Sequence, residues 1–188
     1  MERVSAVKHT FTVEDVTERA SRTIENCILH GATRMRTHAE VDPKVGLRGV
    51  EGVRALIEKY RWAIDLEICV MPQEGLTNNP GTDELMVAAL RNGATVVGAA
   101  PNYDSDRAAQ IRRVFEMARE FDVDIDMHLD SGTSAEELDT LLVCDLAEQY
   151  GWGGRVAVGH VTKLAAMPLP AMDKVAKRMS DAGVAATI

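Results

Sequence analysis

Several things are scarce in this 188-residue chain, and each scarcity excludes something. Positive charge is short: 21 Lys and Arg face 29 Asp and Glu, a formal net charge of −8. With no basic cluster to neutralise phosphates, nucleic acid and anionic membranes are excluded as partners. Cysteine is limited to Cys27, Cys69 and Cys144, an odd number at distant positions in apolar settings. That is not a disulfide framework, so the three are read as reduced core thiols of a cytoplasmic protein. No apolar run approaches the roughly 18 residues of a membrane span, and the N-terminus lacks the apolar stretch of a signal peptide. No glycine-rich phosphate loop of the GxGxxG or GxxxxGK[ST] kind follows any apolar run, which weakens a nucleotide-binding reading.

What remains is a regular alternation. Val13, Val16, Ala20, Ile24, Cys27 and Ile28 recur at helical spacing between Thr12, a natural N-cap, and Gly31, a natural stop. A strand is predicted over residues 33–41 and a helix over 49–60. A second strand follows over 65–71 and a helix capped by Thr82 runs to Gly93. The next strand spans 95–100, and a helix over 105–121 carries Ala108, Ile111, Val114, Phe115 and Ala118 on one face. Residues 125–129 form the fourth strand. Ser134 and Glu137 then read as a capping box for a helix with Leu138, Leu141, Leu142 and Leu146. Strands over 156–161 and 184–188 flank a helix over 170–182. Six strands therefore start about 30 residues apart with a helix in each gap, a βα repeat read as a single domain over residues 1–188. Two architectures suit it, an open doubly wound sheet and a (β/α) barrel. Even spacing favours the barrel. A whole barrel has eight strands in roughly 250 residues, so six describe an α/β partial (β/α)8 TIM barrel, with the first and last barrel strands expected to be absent.

Barrel proteins build their sites at the C-terminal tips of the strands. Read in order, the tips offer His38 and Glu40, Gln73 and Glu74, Asn102 and Asp104, His128 and Asp130, then His160, Thr162 and Lys163. The pivotal stretch is DIDMHLDSG, residues 124–132. Alternation places Asp126, His128 and Asp130 opposite Ile125, Met127 and Leu129. His128 and His160 stand on neighbouring strands, where two neutral imidazoles can bind one divalent metal. A strand-end histidine taken singly is more often a hydrogen-bonded structural residue, and Gln73 and Glu74 taken singly read as solvated loop residues. His9 and His30 receive no role.

The segments TRMRTHAEVD, VMPQEGL, ATVVGAAPNYD, DIDMHLD and VAVGHVTKLAAMP, in this order and spacing, resemble the amidohydrolase superfamily. The likeness is to the branch of cytosine deaminase and the N-isopropylammelide amidohydrolases, and it covers essentially the whole chain. It implies a metal-dependent barrel, using zinc or iron, that hydrolyses C–N bonds of amino- or amide-bearing heterocycles. It implies that His128 is a metal ligand, that His160 binds metal or orients the attacking water as a catalytic residue, and that Gln73 holds the small heterocyclic substrate. Three departures stand out. No His-x-His pair is present to supply two first-strand ligands. The eighth-strand aspartate would lie past residue 188. Ser131 occupies the position, three residues after His128, where cytosine deaminases carry a glutamate acid/base, and Asp130 is one residue out of step. The chain is accordingly expected to be the central portion of such an enzyme and inactive alone. The alternative from another class is a non-catalytic scaffold on the same fold. In either case unpaired strand edges lead to the expectation of a homo-oligomer.

Overall fold

The computed structural model describes residues 2–187. Its elements are α1 (Glu2–Val7), α2 (Val13–Leu29), β1 (Arg34–Glu40), α3 (Arg48–Tyr60), β2 (Asp65–Met71), α4 (Thr82–Arg91), β3 (Val96–Val97), α5 (Arg107–Phe121), β4 (Asp124–Leu129), α6 (Asp139–Tyr150), β5 (Val156–His160), α7 (Leu169–Asp181) and β6 (Val184–Thr187), with short 3₁₀ turns at Lys8–Thr10, Pro101–Tyr103 and Thr162–Ala166. The strand order is β1-β2-β3-β4-β5-β6. Strictly sequential parallel strands with a helix in each gap are the repeat of a partial (β/α)8 barrel.

The chain packs as two compact units, one drawn from Met1–Gln73 and Asn79–Val96, the other from Glu74–Asn78 and Val97–Ile188. In the first, β1 pairs parallel with β2 in the register Arg34↔Asp65 to Glu40↔Met71. Its core joins Ile24, Leu56, Tyr60, Ile64 and Leu66. Helix α2 starts where expected: Thr12 Oγ accepts from the Asp15 backbone N–H at 3.1 Å. Its stop is also as read, with Gly31 at φ 87° just past the last turn. At its start, Lys8 is 1 % exposed and its Nζ donates to Glu40 Oε1 at 2.7 Å and to Asp42. The Asp42 carboxylate also accepts the Lys44 and Val45 backbone N–H groups at 2.6 and 3.0 Å. Helix α4 departs from the expected cap: the N-cap is Gly81, and Thr82 is the first, fully buried helical residue without a side-chain capping bond.

In the second unit β4 pairs parallel with β5, and β5 with β6. Ile111, Val114, Phe115 and Ala118 of α5 are fully buried, as their spacing requires. Ala108 is exposed, because the helix begins at Arg107 behind Asp106, whose carboxylate accepts the Ala109 N–H at 2.9 Å. Opposite α5, Ile125, Met127 and Leu129 of β4 are closed to solvent. β3 is shorter than expected: only Val96 and Val97 are laddered, and Pro101, which has no N–H to donate, opens the turn beyond it. The final strand is described to Thr187; its last expected residue lies outside the described residues. No helix among the described residues is long and apolar enough to cross a membrane. Cys69 and Cys144 are buried and Cys27 half-buried, and none of the three is in a disulfide among the described residues.

Candidate active site

The His128 amide donates to Ala99 O at 2.8 Å, which fixes β4 against the segment leaving β3. Across the other edge His128 is in register with Gly159 of β5. A side chain at Gly159 would place its Cβ 3.3 Å from His128 Cδ2, so the glycine leaves the space that the ring occupies. The next residue, His160, is opposite Leu129, whose side chain is buried on the helix side. A regular strand would turn His160 that way too. Instead His160 and Val161 take left-handed backbone, φ 72° and 41°. The His160 ring lies edge-on to His128, with centroids 4.8 Å apart and planes at 72°. The strained backbone thus assembles the pair that register alone would separate.

Around this pair the loops are tied internally. Asp130 also has positive φ, 51°, and is wholly buried. Its Oδ1 accepts the Asp139 N–H at 3.0 Å, and its Oδ2 accepts the Thr140 N–H at 2.8 Å and hydroxyl at 2.6 Å. Asp130 therefore caps α6 from nine residues upstream. The Ser134–Glu137 capping box is not formed: α6 begins at Asp139, Glu137 has φ 51°, and Ser134 Oγ accepts the Glu136 N–H at 3.3 Å, outside the helix. Leu141, expected on the apolar face, is 41 % exposed. Thr162 Oγ bonds both the N–H and the carbonyl of Gly132 at 3.0 and 3.2 Å. Lys163 Nζ donates to the Glu136 and Glu137 carbonyls at 3.0 Å each. A concavity of about 460 Å³ opens between these loops, lined by Gly132, Thr133, Thr162, Ala165 and Ala166.

Asp104 plays the matching role one loop earlier. Its carboxylate accepts the backbone N–H groups of Leu76, Thr77 and Asp106 at 2.6, 3.1 and 3.1 Å, the Thr77 hydroxyl, and Gln110 Nε2 at 2.6 Å. Burial pushes its carboxyl up, but these donors outweigh that and hold it below the usual carboxylate value. The loop it grips directly follows Gln73 in the PQEG segment, where Gly75 has φ 98° and a Cβ would collide with the Asn78 side chain. Replacing Asp104 with Ala strands several donors at once. Stability is expected to fall by about 2–3 kcal/mol, with faster amide exchange at Leu76 and Thr77, read by hydrogen–deuterium exchange.

Of the residues singled out in sequence, His128 and His160 are brought together. Gln73 is half-buried at the tip of β2 in the other unit, as is His38 near the tip of β1. Neither the turn at His160 nor the capping by Asp130 was foreseen, since His and Asp in a strand exit carry no mark of positive φ. Two imidazoles fit a divalent ion as part of its donor set, with ring nitrogens able to approach such an ion to about 2.1 Å. Among the described residues no third His, Cys, Asp or Glu donor clusters with them within 4.8 Å.

Sequential parallel strands with a helix in each gap are those of a partial (β/α)8 barrel, and its histidine pair stands at the C-terminal tips of β4 and β5. No family model matches the chain. It is 28% identical over 160 residues to N-isopropylammelide isopropyl amidohydrolase of Pseudomonas sp. (strain ADP), over 84% of this chain and 40% of that protein. Among solved structures, 5-methylcytosine deaminase from Klebsiella pneumoniae, liganded with phosphonocytosine, matches 98% of this chain and 46% of its own with TM-score 0.91 and 27% identity. N-isopropylammelide isopropylaminohydrolase from Burkholderia multivorans ATCC 17616 matches 85% and 41%, with TM-score 0.78 and 29% identity. These likenesses indicate the amidohydrolase superfamily, in its cytosine deaminase-like branch. The chain spans less than half the length of these relatives.

Proposed function

We propose that His128 and His160 hold a divalent metal, zinc or iron, and that the chain carries part of the site of a hydrolase cleaving C–N bonds in a small heterocycle. The observation that carries this is the edge-on histidine pair at the β4 and β5 tips, 4.8 Å between ring centroids. The relatives support it, being named for an amidohydrolase of N-isopropylammelide and a deaminase of 5-methylcytosine. A divalent ion at such a site supplies Lewis acidity and an activated water. His128 serves as ligand, and His160, exposed at the tip, ligates or orients the water through a ring nitrogen. The Gln73 amide, with one acceptor oxygen and two donor hydrogens, suits a ring bearing adjacent donor and acceptor atoms. Two imidazoles make an incomplete donor set, so turnover by this chain alone is expected to be absent.

The test is zinc binding by calorimetry at neutral pH, with turnover assays on cytosine and ammelide alongside. His128→Ala is expected to weaken zinc at least about tenfold, as loss of even outer supports does at metal sites. Unchanged zinc affinity would remove the metal reading and leave the non-catalytic scaffold. That alternative rests on β1 and β6 standing at the two ends of the strand order. Pairing of such edges with another copy would give the proposed homo-oligomer, which light scattering measures.

A further inference from the structure

The polar side chains at the β3, β4 and β5 exits divide into two sets. Asp104, Asp130, Thr162 and Lys163 bond backbone groups of their own or a neighbouring loop. Asn102 and Ser131 do not. The bond from the His128 amide to Ala99 O sets the register here, and three residues further on along each segment stand Asn102 and Ser131. Asn102 Nδ2 donates to Ser131 Oγ at 2.5 Å. Both residues are exposed, and among the described residues neither side chain makes another hydrogen bond. The pair therefore keeps its remaining hydrogen-bonding capacity, and it stands at the β3 and β4 exits, the C-terminal side of the strands where the two histidines also lie.

That capacity has a definite pattern. Because Ser131 Oγ accepts from the amide, its hydroxyl hydrogen is left to donate outward. Asn102 keeps Oδ1 as an acceptor. A donor beside an acceptor is the complement of a lactam edge, –C(=O)–N(H)–, in which the carbonyl oxygen accepts and the adjacent ring N–H donates. Neither side chain titrates in water near neutrality, so the pair reads the edge without exchanging a proton with it. We infer that Asn102 and Ser131 form a neutral specificity clamp for the lactam edge of a heterocyclic ligand. This rests on the proposed function for the ligand being a heterocycle, and adds which edge of the ring is read and by which residues.

The test is calorimetric titration of the whole chain, loaded with zinc, with cytosine and with 1-methylcytosine, whose methyl group replaces the N–H of that edge. The parent is expected to prefer cytosine by about 3- to 10-fold, the usual worth of one or two neutral hydrogen bonds. Asn102→Ala is expected to lower cytosine to the level of 1-methylcytosine and to leave 1-methylcytosine unchanged, while Ser131→Ala, which removes the donor to the carbonyl that both rings carry, weakens both rings alike and Ser131→Thr retains the affinity. Both positions are exposed, and circular dichroism verifies that the variants fold. A preference for cytosine that survives in Asn102→Ala, or affinity for both rings unchanged in Ser131→Ala, overturns the clamp and spares the proposed function. A parent that binds neither ring overturns both.

Discussion

Lys8→Met is expected to destabilise the chain by about 3–5 kcal/mol, measured by urea unfolding at pH 7. The methionine keeps the apolar stem and deletes only the charge. Lys8 is 1 % exposed and its ammonium meets two carboxylates, Glu40 and Asp42, the second itself 2 % exposed. A buried ion pair adds little net stability when formed, but removing one partner strands the other without water to solvate it, at a cost of about 3–5 kcal/mol. The backbone donors of Lys44 and Val45 remain to Asp42 in the variant, which argues for the lower part of that range.

The pH dependence gives the sign. Burial pushes the Asp42 carboxyl up, but Lys8 and the Val45 and Lys44 N–H groups more than reverse it, leaving it below its ordinary value of 3.8. A carboxyl depressed by folding contributes stability that is present above its unfolded pKa and is lost as pH falls through the folded one. The parent should therefore hold this contribution down to about pH 4. In Lys8→Met the burial effect loses its main opponent, the depression shrinks, and protonating Asp42 relieves the stranded charge. The gap between parent and variant should hold from pH 7 to about pH 4 and narrow as the pH falls below that, where the carboxyl takes up its proton. A gap independent of pH would show that the loss comes from packing and not from the ion pair.

Features governed by neighbouring residues were legible in the sequence. Thr12 and Gly31 bracket α2 because a cap needs only its own few residues, and the buried stripe Ile111, Val114, Phe115, Ala118 follows from helical period alone. Features decided by distant partners were not. The motif Ser134-x-x-Glu137 has the composition of a capping box, yet Asp130 reaches the first turn of α6 instead and the local motif loses. β3 shrinks to two residues where the apolar run predicted six. The site shows the same division. The strand tips carrying His128 and His160 could be read from alternation, but alternation sends His160 to the wrong face. Left-handed backbone at a histidine and a valine, which glycine would have announced, corrects it. For Asp130 the one-residue offset was informative. Its carboxylate turns away into the α6 terminus, so it does not replace the glutamate absent at Ser131.

That assignment makes Asp130→Ala the other large effect, expected at about 3–4 kcal/mol in urea unfolding. Three donors, the N–H groups of Asp139 and Thr140 and the Thr140 hydroxyl, lose a charged acceptor at a site without solvent. Hydrogen bonds to a charged group are worth about 1.5–3 kcal/mol each in isolation, and they do not add fully when they share one acceptor. The backbone contributes separately. At φ 51° aspartate is tolerated better than alanine, which pays part of the left-handed penalty of roughly 1 kcal/mol. Two further variants separate the causes. Asp130→Gly relieves the backbone but not the donors, so it should recover about 1 kcal/mol of the loss. Asp130→Asn keeps one acceptor oxygen and tolerance of this conformation, and should recover more than half. If Asp130 acts only as the distant cap of α6, Asp130→Asn leaves zinc affinity at the histidine pair within about 3-fold of the parent, far less than the loss expected of a metal-site support. A collapse of zinc binding in Asp130→Asn without loss of stability would instead place this carboxylate in the metal site, against the geometry that turns it into the helix.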